Sequence, residues 1–177
     1  SGNASHGIYI TSDATTAKPT NIKIHGQNTI ENNVGWGIYL ENTAEGQIQD
    51  IHFENNTLGD IILSNTSEFD IHDTFTNRSA AQTGDYSISV QDGSYNNRIY
   101  NNYMARTDTI YDDHYAIWFE KDTYENYYWA NHLYRGTSHS DFDDHSGNTT
   151  ETYSGMGRVK IKDEGVNYSL DPHPTIV

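Results

Sequence analysis

A four-residue phrase recurs five times along this chain, and that recurrence limits the folds open to it. The copies are Gly7-Ile8-Tyr9-Ile10, Gly37-Ile38-Tyr39-Leu40, Asp60-Ile61-Ile62-Leu63, Ser87-Ile88-Ser89-Val90 and Ala116-Ile117-Trp118-Phe119. Each alternates a residue to be buried with one that can face out, the period of a β-strand. The first buried positions, Ile8, Ile38, Ile61, Ile88 and Ile117, are 30, 23, 27 and 29 residues apart, which is the range of solenoid repeats. A second phrase follows each copy: Asn21-Ile22-Lys23-Ile24, Asp50-Ile51-His52-Phe53, Glu68-Phe69-Asp70-Ile71, Asn97-Arg98-Ile99 and Asn126-Tyr127-Tyr128. It usually runs on into an Asn and a lone apolar residue, as at Asn28, Asn56, Asn102 and Asn131. Aligning the copies predicts two more stacked columns. One holds Ile24, Phe53, Ile71, Ile99 and Tyr128, the other Ile30, Leu58, Phe75, Met104 and Leu133.

Other folds fit less well. Helical repeats need amphipathic runs of 3.6 spacing, and none is present. A sandwich has strands at similar intervals, but it does not explain why equivalent positions repeat in columns. Apolar content is only 34% of 177 residues, low for a compact globule. A thin column with a narrow core needs few apolar residues, and the phased aliphatic positions argue against disorder. The expected class is therefore all-β, a parallel solenoid of about five coils. Coils are expected over 1–135, followed over 136–177 by an irregular acidic loop, a closing strand and an extended tail of the same domain. Gly157-Arg158-Val159-Lys160-Ile161-Lys162 alternates cleanly and is that closing strand. The repeat starts at Gly7 with no amino-terminal cap, as expected of a segment from a larger protein.

The phrase Gly-Ile-Tyr-Ile/Leu, then Asn-x-x-Ile, then Asn-Asn-Thr-Ile/Leu resembles the right-handed parallel β-helix repeat of the pectin lyase-like superfamily and of phage tailspikes. The resemblance covers about residues 5–135. It implies a protein that binds, cuts or epimerises polysaccharides, mostly acidic ones, outside the cell or on a virion. No signature selects one family within that group.

Net charge is −15, which argues against nucleic acid and anionic membranes as partners, because both need a basic surface. There is no cysteine, so no disulfide or thiolate metal site exists. The links Asn77 to Tyr86 and Ala105 to Tyr115 are long and leave corresponding places in consecutive coils. Solenoid insertions gather on one face, often the binding face. Asp112, Asp113 and His114 end the second of these links, with Arg106 at its start and Arg78 at the start of the first. In a polysaccharide enzyme, His114 or Asp113 would move a proton, two carboxylates would serve a hydrolase, and arginine would neutralise a uronate. The plainer reading is a solvated turn. Trp118 and Glu120 follow, and Arg135 stands after the next coil.

Outward columns supply candidate binding residues. One is His25, Glu54, His72, Tyr100 and Trp129, beside Lys23, His52, Asp70, Arg98 and Tyr127. Their rings would stack on pyranose faces; the alternative is a solvated ladder of strand pairs. Tyr9, Tyr39, Ile62 and Trp118 form an outward stripe on the first sheet. An exposed Ile62 implies cover from the tail or from another subunit. Asp141, Asp143 and Asp144, between His139 and His145, would suit calcium, which prefers oxygen ligands. The alternative there is an acidic loop. An enzyme, a non-catalytic glycan- or receptor-binding segment and an oligomerising stem are all compatible with these residues.

Overall fold

The computed structural model describes residues 4–13, 17–78, 86–106, 115–134, 142–144, 150–154 and 157–161. All regular structure among them is β, wound as a parallel solenoid. The recurring phrase forms one parallel sheet from β1 (Ile8–Thr11), β3 (Trp36–Glu41), β5 (Gly59–Ser64), β8 (Tyr86–Gln91), β11 (Tyr115–Phe119) and β14 (Phe142–Asp144). Its register is the predicted one: Ile8, Ile38, Ile61, Ile88 and Ile117 are successive partners.

The rest of the wall begins with two long strands, β2 (Ile22–Glu31) and β4 (Ala44–Glu54). Beyond β4 it divides. Its first half continues as β6 (Ser67–His72), β9 (Arg98–Tyr100), β12 (Tyr127–Trp129) and β15 (Thr150–Ser154). Its second half continues as β7 (Phe75–Arg78), β10 (Tyr103–Arg106) and β13 (His132–Tyr134). We call these the first, second and third faces. A turn with three separate strands therefore repeats about three times, preceded by two turns with one short and one long strand. About five coils are expected from the sequence, and the count differs to that extent. At the other end β16 (Gly157–Ile161) pairs antiparallel with β15, in the stretch predicted as the closing strand. The segment 137–153, read as irregular, contributes β14 and β15 to the stack.

The inward residues form one narrow core. Ile38, Ile61, Ile88 and Ile117 are fully buried, as are Leu40, Leu63, Val90 and Phe119 beside them. Each such side chain contributes about 1.5–3 kcal/mol by leaving water. On the second face the column is Ile24, Ile48, Ile71, Ile99 and Tyr128. On the third it is Ile30, Phe53, Thr76 and Met104, with Leu133 the register partner of Met104. Four expected placements are thus corrected. Phe53 stacks on Ile30 and not on Ile24, because β4 starts right after a two-residue bend at Asn42 and Thr43 and runs through both faces. Leu58 is 41% exposed and Phe75 faces outward, its inward place being taken by buried Thr76. Ile62, expected on the surface, is only 4% exposed. Its register partners are Tyr39 and Ser89, and Ser87 and Ser89 on the same outer side are buried with it.

What lets the chain turn is a two-residue device. The first residue takes a left-handed backbone, at Asn32, Asn42, Asn55, Asn65, Asp73, Asn96, Asn101, Glu125 and Ala130. Asn and Asp tolerate this conformation best after glycine. The next residue turns inward and is buried or nearly so: Asn33, Thr43, Asn56, Thr66, Thr74, Asn97, Asn102, Asn126 and Asn131. Its side chain repairs the backbone pairing lost at the bend. The Asn102 amide oxygen accepts from the Thr74 N–H at 3.0 Å, and its NH2 donates to the Ile71 carbonyl at 3.0 Å. The Asn102 N–H donates in turn to the Asn131 amide oxygen at 3.0 Å. Asn97 and Asn126 repeat the pattern one bend earlier. Asn33 and Asn56 do so where the third face meets the first. The single Asn column expected from sequence is therefore several ladders: Asn56 belongs with Asn33, and Asn28 is exposed. Glycine fills a bend with no room for a side chain at Gly59, φ 147°, where an added Cβ would lie 2.2 Å from the Trp36 ring.

Two substitutions test the bends by urea unfolding. Asn102→Ala leaves a buried N–H and carbonyl unpaired, and is expected to cost about 2–3 kcal/mol. Ala130→Gly relieves a left-handed alanine and is expected to gain about 1 kcal/mol.

Candidate functional site

The bend between the second and third faces carries the densest set of functional groups among the described residues. Asp50, Asp73, Asn101 and Ala130 occupy its left-handed positions, with φ of 56°, 53°, 53° and 51°. The outward residue before each of the last three is His72, Tyr100 and Trp129. Their rings stack at centroid distances of 4.8 and 4.5 Å, within about 11° of parallel. Beyond the bend, Phe75, Tyr103 and His132 stack at 5.1 and 5.0 Å, and His52 meets Phe75 edge-on at 4.7 Å. Two ring columns thus climb the solenoid on either side of one bend, because strand spacing near 4.8 Å suits stacked rings.

The polar groups are linked as well. His72 bridges Asp73 and Gln47: its Nδ1 lies 2.7 Å from the Asp73 carboxylate and its Nε2 lies 2.7 Å from the Gln47 amide. Asn101 donates to the other Asp73 oxygen. Arg98 clasps Asp70, with Nε 2.5 Å from Oδ1 and Nη2 3.2 Å from Oδ2. At their exposure this pair adds less than about 1 kcal/mol. Burial, and next the Asp70 charge, raise the Tyr100 phenol above its ordinary value, so it stays neutral. At the lower end of the bend an open groove of about 360 Å3 is lined by Gln27, Thr29, Asp50, Ile51, His52, Asp73 and Phe75. The His52 Nε2 is buried there without a hydrogen-bond partner.

This geometry changes how the aromatic columns can serve. Tyr100 has a ring on each side, and so does Tyr103. Their faces are covered by neighbours, so they offer edges and hydroxyls outward. Face-on stacking of a pyranose, expected from sequence, is unavailable at these two rings.

The predicted residues fall in three places. Tyr100 and Trp129 are brought together in the second-face stack, but Glu54 is not; Gln49 takes that position in the column. Nor is His52 beside Lys23, where Gln47 stands; His52 belongs to the third-face column. Trp118 and Glu120 lie on the first face and away from that stack. Trp118 stacks on Tyr86 at 4.8 Å, and Glu120 accepts the Asp92 N–H at 2.9 Å as part of a bend. Arg78 and Arg106 are register partners closing β7 and β10, so their backbones are one rung apart. Asp143 and Asp144 lie on β14, beside Trp118 and Phe119. Asp112, Asp113, His114, Arg135, Asp141, His139 and His145 lie outside the described residues, as do most of the two long links. Among the described residues no group of three or more His, Asp or Glu is arranged to hold a metal ion.

The groove residues Gln27, Thr29, Asp50 and Asp73 escaped the sequence reading. Asp73 could have been found, since Asp73-Thr74 stands where the next coil has Asn101-Asn102. Gln27 and Thr29 could not, because β2 shifts register between His25 and Asn28.

A histidine at the first turn gives a pH test. The His6 Nδ1 accepts the Trp36 N–H at 3.0 Å, and burial holds its pKa below the usual imidazole value. The bond is intact where imidazole is neutral, above about pH 6.5, and its contribution is lost as pH falls through the lowered folded pKa. The protection factor of the Trp36 amide, its exchange rate relative to the intrinsic rate at each pH, is therefore expected to fall on acidification below about pH 6.5, and His6→Ala should abolish that fall.

No family model, no characterised protein and no solved structure matches this chain.

Proposed function

We propose that the chain binds a polysaccharide along the bend between its second and third faces, and that cleavage is carried by the link ending in Asp112, Asp113 and His114. The observation that carries the reading is the groove. It is open, it lies along a wall of ring edges, and its lining mixes carboxylate, amide, hydroxyl, imidazole and one phenyl group. Sugars need that mixture: hydrogen-bonding groups for their hydroxyls and apolar carbon for their C–H surfaces. The resemblance of the repeat to the pectin lyase-like β-helix supports the same substrate class and an extracellular or virion setting. Arg78 and Arg106 end adjacent third-face strands that begin at that bend, and both long links start from them. Lyase or hydrolase chemistry, with Arg106 assisting, is the reaction proposed.

The test separates binding from cleavage. On an array of neutral and acidic glycans, the wild type is expected to retain at least one polysaccharide. Phe75→Ala and Tyr103→Ala should each weaken it by roughly ten-fold, about 1.4 kcal/mol, while Tyr95→Ala, on the separate Tyr95–Tyr124 stack, should not. His114→Ala should stop the release of reducing ends, or of ultraviolet-absorbing unsaturated ends, with binding intact. An array with no retained glycan would overturn the whole reading; retention without any turnover by the wild type would reduce it to a binding segment.

A further inference from the structure

We propose that the groove selects a glycan carrying free amino groups, an amino-sugar polymer with protonated amines, over a uronate polymer or an N-acetylated one. The proposal rests on the polysaccharide reading above and specifies its ligand; such a glycan has no C6 carboxyl group to acidify C5–H, so of the two reactions named there it leaves hydrolysis. Of the seven lining residues, Asp50 and Asp73 are the two carboxylates, and none is lysine or arginine. The closest described arginine on the second face, Arg98, is committed to Asp70. A uronate entering here would meet two carboxylates and no lysine or arginine among the lining residues, whereas an ammonium would be drawn in. The charge of −15 over the whole chain adds to the field in the same sense.

Neither carboxylate is saturated by the bonds it makes. The Asp50 Oδ2 accepts from Gln49 at 3.1 Å, and Asp73 accepts from Asn101 and faces His72. A carboxylate has about four acceptor sites, so each retains capacity for an ammonium N–H. The second pointer is His52, whose buried Nε2 lacks a partner in the same groove. With the ring turned toward the groove, a sugar hydroxyl or ammonium would satisfy it, as buried polar atoms require. The spacing also fits. Gln49 and His72 are register partners, so Asp50 and Asp73 follow them in adjacent coils about 4.8 Å apart. Two carboxylates on consecutive coils can therefore meet one cationic chain at two points.

Calorimetric titration of the whole chain with three hexamers tests this: glucosamine, N-acetylglucosamine and galacturonate. The glucosamine hexamer is expected to bind at least about ten-fold more tightly than either of the others. Asp50→Asn and Asp73→Asn should each remove most of that preference. Asp122→Asn, an equal charge change at an exposed turn between β11 and β12, should leave it in place. Equal affinity for the first two hexamers would overturn the amine selectivity while leaving polysaccharide binding standing. Tighter galacturonate binding, or equal losses in Asp122→Asn, would overturn it too. Failure of the glucosamine hexamer to bind, with a different glycan retained on the array, sinks this proposal alone; failure of every glycan sinks both. If Asp73→Asn unfolds the bend, the wild-type ranking and Asp50→Asn still decide.

Discussion

A parallel strand that turns a corner leaves backbone groups without partners, and in this chain buried Asn, Thr and Ser side chains supply them. The amide suits the task because it presents an acceptor and two donors on one short stem. At Asn102 the oxygen serves Thr74 in the coil before and the NH2 serves the Ile71 carbonyl. The hydroxyl ladder does the same at the bend leaving the first face, where the Ser94 hydroxyl accepts the Thr66 N–H at 2.9 Å and reaches the Leu63 carbonyl. Leaving such groups unpaired in the interior would cost about 1–3 kcal/mol each. The ladders therefore decide where the chain bends, how many faces it has and which residues lie along each edge. The aliphatic columns fill the space that the ladders enclose.

That ordering explains what the sequence reveals. The first-face strands are legible because Ile-x-Ile/Leu/Val/Phe repeats with one phase and the structure keeps that phase. The second and third faces are less so. β4 crosses both without a break, and the apolar residue that matches the second phrase, Phe53, belongs one face further on. Short apolar phrases cannot say which side of a bend they fall on. The left-handed-then-inward dipeptide can. Asn32-Asn33, Asn55-Asn56, Asp73-Thr74 and Asn101-Asn102 mark bends directly, and aligning on them in place of the apolar residues recovers the observed ladders. Glu125-Asn126 and Ala130-Asn131 stay hidden, since neither Glu nor Ala advertises a left-handed backbone. The candidate site was legible only in part for the same reason: Tyr100 and Trp129 stand out as aromatic, while Asp50 and Asp73 look like ordinary turn residues.

The groove follows from the fold and needs no separate scaffold. Bend positions demand residues that tolerate positive φ, and Asp meets that demand as Asn does. Where the chain uses Asp it gains a charge on the outer edge of the bend at no cost in backbone strain. Flanking outward positions stack rings because equivalent residues lie one rung apart. Ring edges and carboxylates thus share one edge of the solenoid, and the absence of lysine and arginine from the groove lining gives it one sign of charge.

All of this depends on which residues lie in register between coils, and engineered cysteine pairs report that directly because the chain has none of its own. The structure pairs His25 with Gln49, whereas the apolar alignment of the sequence would set His25 beside Glu54. Disulfides form where Cα atoms stand about 4.4–6.8 Å apart. The account predicts that His25→Cys with Gln49→Cys oxidises readily within one chain and that His25→Cys with Glu54→Cys does not. The reverse outcome, or oxidation of neither pair, would contradict the stacking on which the ladders, the faces and the groove rest.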